Sequence, residues 1–206
     1  MHMRNIEDKR QKLYNIASGQ QGYFTAKQAL SCGYSHRTQY YHKEKGHWIE
    51  IERGVFRLAN YPASPFEDLV RWSLWSRNRD DIPQAVISHE TALSVHELSD
   101  VMPGKIHLIV PPNFRKKPSV GCILHKNIIQ PESIERREGF MLTTPLKTII
   151  DVAEGGISND YLEQALRDAF NKGILVPAQI IEAKPSSKAK DKLRIILENI
   201  KKRPIL

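Results

Sequence analysis

The sequence predicts an α+β protein of two domains, in which three short helices and a β-hairpin precede a mixed α+β region with a helical C-terminus. Helical and glycine-turn patterns fill residues 6–46, and two β-prone runs follow them directly. A proline-containing break at residues 60–65 separates this segment from the rest. The 206 residues, 40% of them hydrophobic, suffice for two small cores.

The chain is basic, because 31 Lys and Arg residues outnumber 23 Asp and Glu residues and give a net charge of +8. Residues 1–60 hold ten of these basic residues and only five of the acidic ones, so the positive charge is concentrated there. This distribution favours nucleic acid as the partner. No apolar run approaches the roughly 20 residues of a membrane span, and no secretory signal is present, so we expect a cytoplasmic protein without a membrane partner.

The first helix is predicted over residues 6–18, and Gly19 and Gly22 end it. Four apolar residues recur at helical spacing: Ile6, Leu13, Ile16 and Ala17. Charged residues fill the opposite face of this helix. Thr25, with Gln28 three residues later, forms a capping box. A second, short helix is therefore predicted to begin directly after Thr25.

A tight turn at Gly33 leads to a third helix, which Ser35 caps and Gly46 ends. This helix carries an unusually polar set of side chains: His36, Arg37, Thr38, Gln39, Tyr40, Tyr41, His42, Lys43 and Lys45. A short helix, a glycine turn and a polar helix form the helix-turn-helix pattern, whose second helix enters the major groove of DNA by its N-terminal residues.

Two β-prone runs follow the third helix, at residues 48–51 and 55–58, and a turn containing Gly54 joins them. A hairpin at this place is the wing of a winged helix, and Arg53 at its tip is expected to meet the DNA backbone or the minor groove. Residues 1–60 are thus predicted to be a winged-helix DNA-binding domain. The alternative is that three helices and a hairpin form a small core that never contacts DNA.

Ten side chains are expected to contact DNA: Thr25, Lys27, Ser35, His36, Arg37, Gln39, Tyr40, Tyr41, Lys43 and Arg53. Within this set, Arg37 has the donors for a bidentate contact with guanine, and Gln39 has the groups for one with adenine. Tyrosine and lysine side chains on the same helix suit phosphates. Many winged-helix regulators act on palindromes, so we expect a homodimer on DNA.

The second domain, residues 65–206, is predicted to begin with a helix that starts at Glu67. Strands are expected within residues 85–87, 105–110, 120–125 and 140–143, and helices within residues 88–98, 144–152, 158–172, 177–183 and 188–202. The two cysteines, Cys32 and Cys122, are too few for a disulfide framework and lack metal-finger spacing. We therefore expect both to be reduced and structural.

Five segments of the chain follow one another in the order found in a known family. They are Gly22 to Ala29, Arg53 to Leu58, Ser88 to Leu93, Lys105 to Pro111 and Thr143 to Asp151. Through these segments the chain resembles the AbiEi family of antitoxins from bacterial type IV toxin–antitoxin systems, over about residues 5–152.

The resemblance implies an N-terminal winged helix that binds inverted repeats in the promoter of its own operon. It also implies a C-terminal regulatory domain that counteracts a nucleotidyltransferase-like toxin. Residues 153–206 carry no motif of this family. The function expected from the resemblance is that of a sequence-specific transcriptional autorepressor and antitoxin, which needs neither catalysis nor a cofactor.

Four histidines, with Ser88 beside the first, are candidates for a nucleophilic or metal site: His89, His96, His107 and His125. Because no carboxylate or cysteine accompanies them at ligand spacing, we expect neither a catalytic nor a metal site. Ser88 is instead expected to cap a helix, while His89 and Thr91 form local hydrogen bonds. Asp151 is expected to be a capping or pairing carboxylate.

The enzymatic alternative is a metal-dependent nuclease or a nuclease-derived DNA-binding protein. Glu182 and Lys184 have the Glu-x-Lys spacing that such enzymes use to hold Mg²⁺, and Asp168 is a candidate partner. Against this alternative, Pro177 predicts a helix here, whereas the chemistry needs adjacent strands, and Pro185 ends the segment.

The last helix, residues 184–202, also has alternative roles. Its lysines suit a nucleic-acid arm, and its apolar stripe suits dimerisation. Interleaved acidic residues, Asp191 and Glu198, are more typical of a solvated helix face.

Overall fold

The structure is a computed structural model that describes residues 2–118 and 120–202, with side chains from residue 8 onward. The chain divides into two compact units. The first unit contains the described residues up to Ala85 together with Arg136–Met141, and the second contains Val86–Glu135 and the described residues from Leu142 onward.

The first unit is a winged helix. Its elements are α1 (His2–Ser18), β1 (Tyr23–Thr25), α2 (Ala26–Ser31), α3 (His36–Glu44), β2 (Trp48–Glu52), β3 (Val55–Leu58) and α4 (Glu67–Trp75). The strands form an antiparallel sheet of order β1-β3-β2. This arrangement confirms the predicted N-terminal fold, and it adds β1, which is too short to show the alternation by which a strand is recognised.

Apolar side chains from the helices and the sheet form the core of this unit: Leu13, Ala17, Phe24, Ala29, Cys32, Trp48 and Phe56. Phe24 is fully buried, and its ring lies 4.8 Å from that of Trp48 and 5.8 Å from that of Phe56. The helical spacing that predicted α1 and the β-prone runs that predicted the hairpin therefore identified the buried faces.

Helix α4 belongs to the first compact unit, although the sequence pattern assigned it to the second domain. Arg57 on β3 explains the difference, because its guanidinium donates to the backbone oxygens of Tyr61 and Pro62 and pairs with Glu67 at 2.7 Å. Arg57 thus connects β3, before the proline-containing segment, to α4, after it. The prolines indicate a break in the sequence pattern, but they do not reveal the ion pair that spans this segment.

The remaining elements contain a five-stranded sheet and the C-terminal helices. They are β4 (Val86–Ile87), α5 (His89–Val95), β5 (Ile106–Val110), β6 (Cys122–Lys126), β7 (Ile134–Arg137), β8 (Phe140–Thr143), α6 (Pro145–Gly155), α7 (Asn159–Asn171), α8 (Pro177–Glu182) and α9 (Ser187–Lys202). The sheet order is β6-β5-β4-β8-β7, with β5 and β6 parallel. The fold class is α+β with a helical C-terminus, as predicted.

Helices α5, α6, α7 and α9 share a core whose members include Leu93, Ile149, Val152, Leu162, Leu166 and Ile196. Strand β7 was not predicted, because three of its four residues are charged and give no apolar alternation. None of the described helices is both long and apolar enough to cross a membrane.

Candidate nucleic-acid interface

Helix α2 begins at the capping box that the sequence predicts. The backbone NH of Gln28 donates to Thr25 Oγ1 at 3.2 Å, and the backbone NH of Thr25 donates to Gln28 Oε1 at 2.8 Å. The Thr25 hydroxyl also donates to Asp81 Oδ2 at 3.0 Å, and the residue is buried. Thr25 is therefore corrected from an expected DNA contact to a residue that positions α2.

A partly buried polar network, not predicted from the sequence, supports the start of α2. Arg77 donates to Gln20 Oε1 at 2.9 Å and lies 3.3 Å from Asp81 Oδ2. Gln20 in turn exchanges hydrogen bonds of 3.0 Å with the side chain of Gln28. Burial lowers the pKa of the Arg77 guanidinium, while Asp81 opposes that shift. The members lie up to 61 positions apart in the sequence, so no local pattern joins them.

Ser35 caps α3, and Gly33 in the preceding turn has a left-handed backbone with φ of +91°. The Ser35 hydroxyl accepts a hydrogen bond from the backbone NH of Thr38 at 3.2 Å and lies 2.7 Å from the Thr38 hydroxyl. Both residues of the turn therefore have the local roles that the sequence predicts. Ser35 itself is exposed at the N-terminus of α3.

Gln39 is buried, with 5% of its surface exposed. Its side-chain amide donates to the backbone oxygens of Ala26 at 3.1 Å and Tyr34 at 3.2 Å. These contacts fix α3 against α2 and the turn between them. The expected contact of Gln39 with adenine is corrected accordingly, since its amide points into the unit.

The opposite face of α3 is exposed and carries His36, Arg37, Tyr40 and Tyr41. Residues three and four positions apart share a helix face, so these side chains form one surface. Tyr40 is 63% exposed and Tyr41 51% exposed. Within the described part of the chain, Arg37 forms no hydrogen bond or ion pair. Its guanidinium donors are therefore available to a ligand.

The two lysines of the expected site already have partners. Lys43 on α3 pairs with Glu50 on β2 at 2.5 Å, and this hydrogen bond raises the pKa of Lys43 and lowers that of Glu50. Lys27 donates to the backbone oxygen of Arg79. Both lysines remain exposed. Their charges lie at the candidate surface, but a phosphate would compete with the present contacts.

The wing is the turn between β2 and β3. Gly54 has a φ of +74°, which allows the tight turn, and Arg53 beside it is exposed and has no partner among the described residues. The backbone oxygen of Gly54 accepts a hydrogen bond of 2.9 Å from the NH of Ala26, the first residue of α2. The wing tip is thus attached to the helix-turn-helix, and Arg53 is held near it.

His42 lies on the buried side of α3, where its ring stacks on that of Trp48 at 4.7 Å. Burial, followed by the nearby His47, lowers the pKa of His42. An unfolded chain, with a histidine pKa of about 6.5, then binds more protons than the folded one as pH falls through that range. We expect the first unit to lose stability on acidification through this window, with no further loss from His42 below its folded pKa.

Nuclear magnetic resonance titration of the His42 ring measures this pKa directly. Thermal unfolding of wild-type protein and of His42→Gln at two pH values isolates the contribution of this residue. A titration midpoint at or above that of a free histidine would contradict the burial argument.

The residues of the nuclease alternative lie on two helices and in the segment after one of them. Glu182 is the last residue of α8, Lys184 follows that helix, and Asp168 lies on α7. The Asp168 carboxylate accepts a hydrogen bond of 2.9 Å from the backbone NH of Ser99. Adjacent strands do not carry these three residues, so the described chain lacks the expected nuclease arrangement at this place.

Residues 11–59 of the chain match the family model described as "Transcriptional regulator, AbiEi antitoxin". The resemblance expected from the sequence is therefore confirmed over the winged helix, and the later segments lie outside the matched residues. No curated protein matches the chain. A crystal structure of the RV2827C protein from Mycobacterium tuberculosis is similar at a TM-score of 0.46 and 11% identity, over 88% of this chain and 79% of that one.

Proposed function

We propose that the chain, whose winged helix matches AbiEi antitoxin transcriptional regulators, is a sequence-specific DNA-binding repressor. The observation that carries this proposal is the pair of exposed arginines, Arg37 on α3 and Arg53 on the wing, which have no partner among the described residues. An exposed guanidinium without an intramolecular partner presents all its donors to bases or phosphates. The repressor needs no catalytic step.

In the proposed complex, α3 enters the major groove by its N-terminal turn. Arg37 donates to guanine, and Ser35 and His36 lie near base edges. Tyr40 and Tyr41 contact the phosphate backbone. Arg53 reaches the backbone or the minor groove beside the major-groove contact.

The basic residues Lys43 and Lys27 add attraction to the phosphates, which does not depend on sequence. In the complex, Lys43 either leaves Glu50 to bind a phosphate or contacts Glu50 and the phosphate together. Lys27, at the start of α2, approaches a second phosphate. These roles place the sequence-dependent part of binding on Arg37 and the sequence-independent part on the surrounding charges.

The finer proposal is autorepression within a type IV toxin–antitoxin system in the bacterial cytoplasm. Two copies of the chain bind inverted repeats in their own promoter, so that two winged helices occupy successive half-sites. The second unit binds a nucleotidyltransferase-like toxin. Support for this part is the antitoxin named in the matching family description.

A salt-dependent binding titration tests the proposal. The purified chain is titrated against its own upstream DNA and against a scrambled duplex of the same length, with Mg²⁺ present and the DNA checked for cleavage. We expect preferential binding to the upstream DNA, uncut, with an affinity that falls linearly on a log–log plot against salt. Equal binding to both duplexes contradicts sequence-specific repression, and cleavage supports the nuclease alternative.

A further inference from the structure

Three histidines that lie 18 residues apart in sequence meet in the second unit. His89 begins α5, and His107 and His125 lie on the neighbouring parallel strands β5 and β6. His107 pairs with Ile123 and His125 with Ile109, so the two histidines lie on the same face of the sheet, diagonally opposite each other. One nitrogen from each of the three rings lies within 4.8 Å of the other two.

We propose that His89, His107 and His125 bind a divalent transition-metal ion of the zinc class. Three imidazoles are a common ligand set for zinc, and imidazole nitrogens select late first-row metals over Mg²⁺ and Ca²⁺. The site lies wholly within the second unit. It is therefore independent of the DNA-binding proposal.

The spacing of the nitrogens supports this assignment. Zinc–nitrogen distances of about 2.0–2.1 Å in tetrahedral geometry separate two ligand nitrogens by about 3.3 Å. Nδ1 of His107 lies 3.1 Å from Nε2 of His125, close to that separation. The His89 ring stacks on His125 at 3.7 Å with an angle of 14° between them. Since a metal lies in the plane of each imidazole, the His89 ring must tilt from this stack on binding.

A carboxylate also faces the cluster, contrary to the sequence argument that no carboxylate accompanies these histidines. Oε2 of Glu90 lies 3.1 Å from Nδ1 of His107. The same oxygen is buried and forms no hydrogen bond of acceptable geometry. A buried carboxylate oxygen in this position is suited to balance the charge of a metal or to complete its coordination.

The neighbouring residue Ser88 contacts the ring of His89. Ser88 occupies the N-cap position of α5, but its hydroxyl makes no cap bond and instead lies 2.9 Å from Nδ1 of His89. The expected capping role of Ser88 is thereby corrected. His89 has a φ of +51°, a left-handed conformation that histidine adopts infrequently. In metal sites a ligand histidine typically donates its other ring NH to a neighbouring acceptor.

The surroundings of the cluster shift the pKa of each of the three rings. Burial lowers the pKa of all three histidines, to about 3 for His89, with further lowering of the His89 pKa by His125, His107 and Lys147. The nearby carboxylate of Glu90 opposes this shift at His107 by raising its pKa.

The test is a metal titration of the untagged full-length chain after treatment with a chelator. Isothermal titration calorimetry with Zn²⁺ is expected to show one equivalent per chain, and Co²⁺ is expected to give the visible absorption of nitrogen-ligated cobalt. Addition of Zn²⁺ to ¹⁵N-labelled protein should shift the ring signals of His89, His107 and His125 and leave that of His47 in place. Absence of binding, or shifts confined to other histidines, overturns the proposal without any variant.

Variants assign the ligands. Glu90→Gln removes a supporting partner and should lower the zinc affinity by about 10–100-fold. His107→Gln and His125→Gln each remove a ligand and should lower the zinc affinity by more than that. His47→Gln, which changes an exposed histidine in the first unit, is the matched control and should bind as wild type. Circular dichroism checks that each variant folds. Unchanged zinc affinity in folded His107→Gln and His125→Gln contradicts the assignment.

Discussion

The substitution Gly22→Ala is expected to lower the free energy of unfolding of the first unit by about 2–5 kcal/mol, the sum of a backbone and a packing cost. Gly22 has a φ of +85°, and an L-residue in the left-handed region costs roughly 1–2 kcal/mol. A Cβ at this position would lie 2.4 Å from Cγ and 2.6 Å from Cβ of Tyr61. Overpacking of this kind typically costs about 1–3 kcal/mol more.

The neighbourhood of Gly22 leaves little room for relaxation. Its NH donates to the backbone oxygen of Ala17 at 2.8 Å, and its oxygen accepts from the NH of Leu58 at 3.0 Å. These bonds join the end of α1 to β3. Tyr61, whose hydroxyl donates to the backbone oxygen of Ser18, is held from the other side.

Gly46→Ala is the matched control, because Gly46 also has a positive φ, of +69°, but has nothing within 4 Å of an added Cβ. It should cost only about 1–2 kcal/mol. All three tryptophans, Trp48, Trp72 and Trp75, lie in the first unit, so their fluorescence during urea unfolding measures that unit. Equal destabilisation by the two substitutions would show that the contact with Tyr61 contributes nothing.

The substitution Arg37→Ala is expected to cost about 1–3 kcal/mol of binding free energy at one base position, or roughly 5- to 150-fold in affinity. Its exposed guanidinium has no partner among the described residues and carries the donors for a bidentate contact with guanine. The loss should shrink when the contacted base pair is itself changed. Fluorescence anisotropy with the upstream DNA and with single-base variants of it measures both effects.

Arg53→Ala is the control for Arg37→Ala, because the wing arginine is also exposed but belongs to the wing and not to the proposed base contacts on α3. It should weaken binding to all sequences alike and reduce the slope of log affinity against log salt by about one. If Arg37→Ala weakens every sequence equally, Arg37 contacts a phosphate and does not read a base.

Much of the first unit could be predicted from local patterns. The capping box at Thr25, the turn at Gly33 and the hairpin around Gly54 depend on residues only a few positions apart, and all three occur in the structure. The polarity of α3 likewise indicated an exposed helix. It could not indicate which polar residue faces inward, because Gln39 has the same hydrogen-bonding groups whether they meet adenine or the backbone of Ala26.

Long-range contacts account for what the sequence did not indicate. Arg77 donates to Gln20 and the Thr25 hydroxyl donates to Asp81, in each case across more than 50 positions of the sequence. The ion pair of Arg57 with Glu67 attaches α4 to the first unit. The spacing of His89, His107 and His125 along the chain does not indicate a metal site. Parallel pairing of β5 with β6 brings two of them together diagonally, and spacing rules for metal motifs do not describe that geometry.

The hydrogen bond between the Gly54 oxygen and the Ala26 NH has a consequence for the thermodynamics of association. A wing free to swing would have to be ordered when DNA binds, and that ordering carries an entropic cost. Here the hairpin is already attached to the start of the helix-turn-helix by a bond of 2.9 Å. In the proposed complex this surface is preorganised, so the distance between the groove contact and the wing contact is set before the duplex arrives. We then expect DNA whose grooves fit that distance to be favoured.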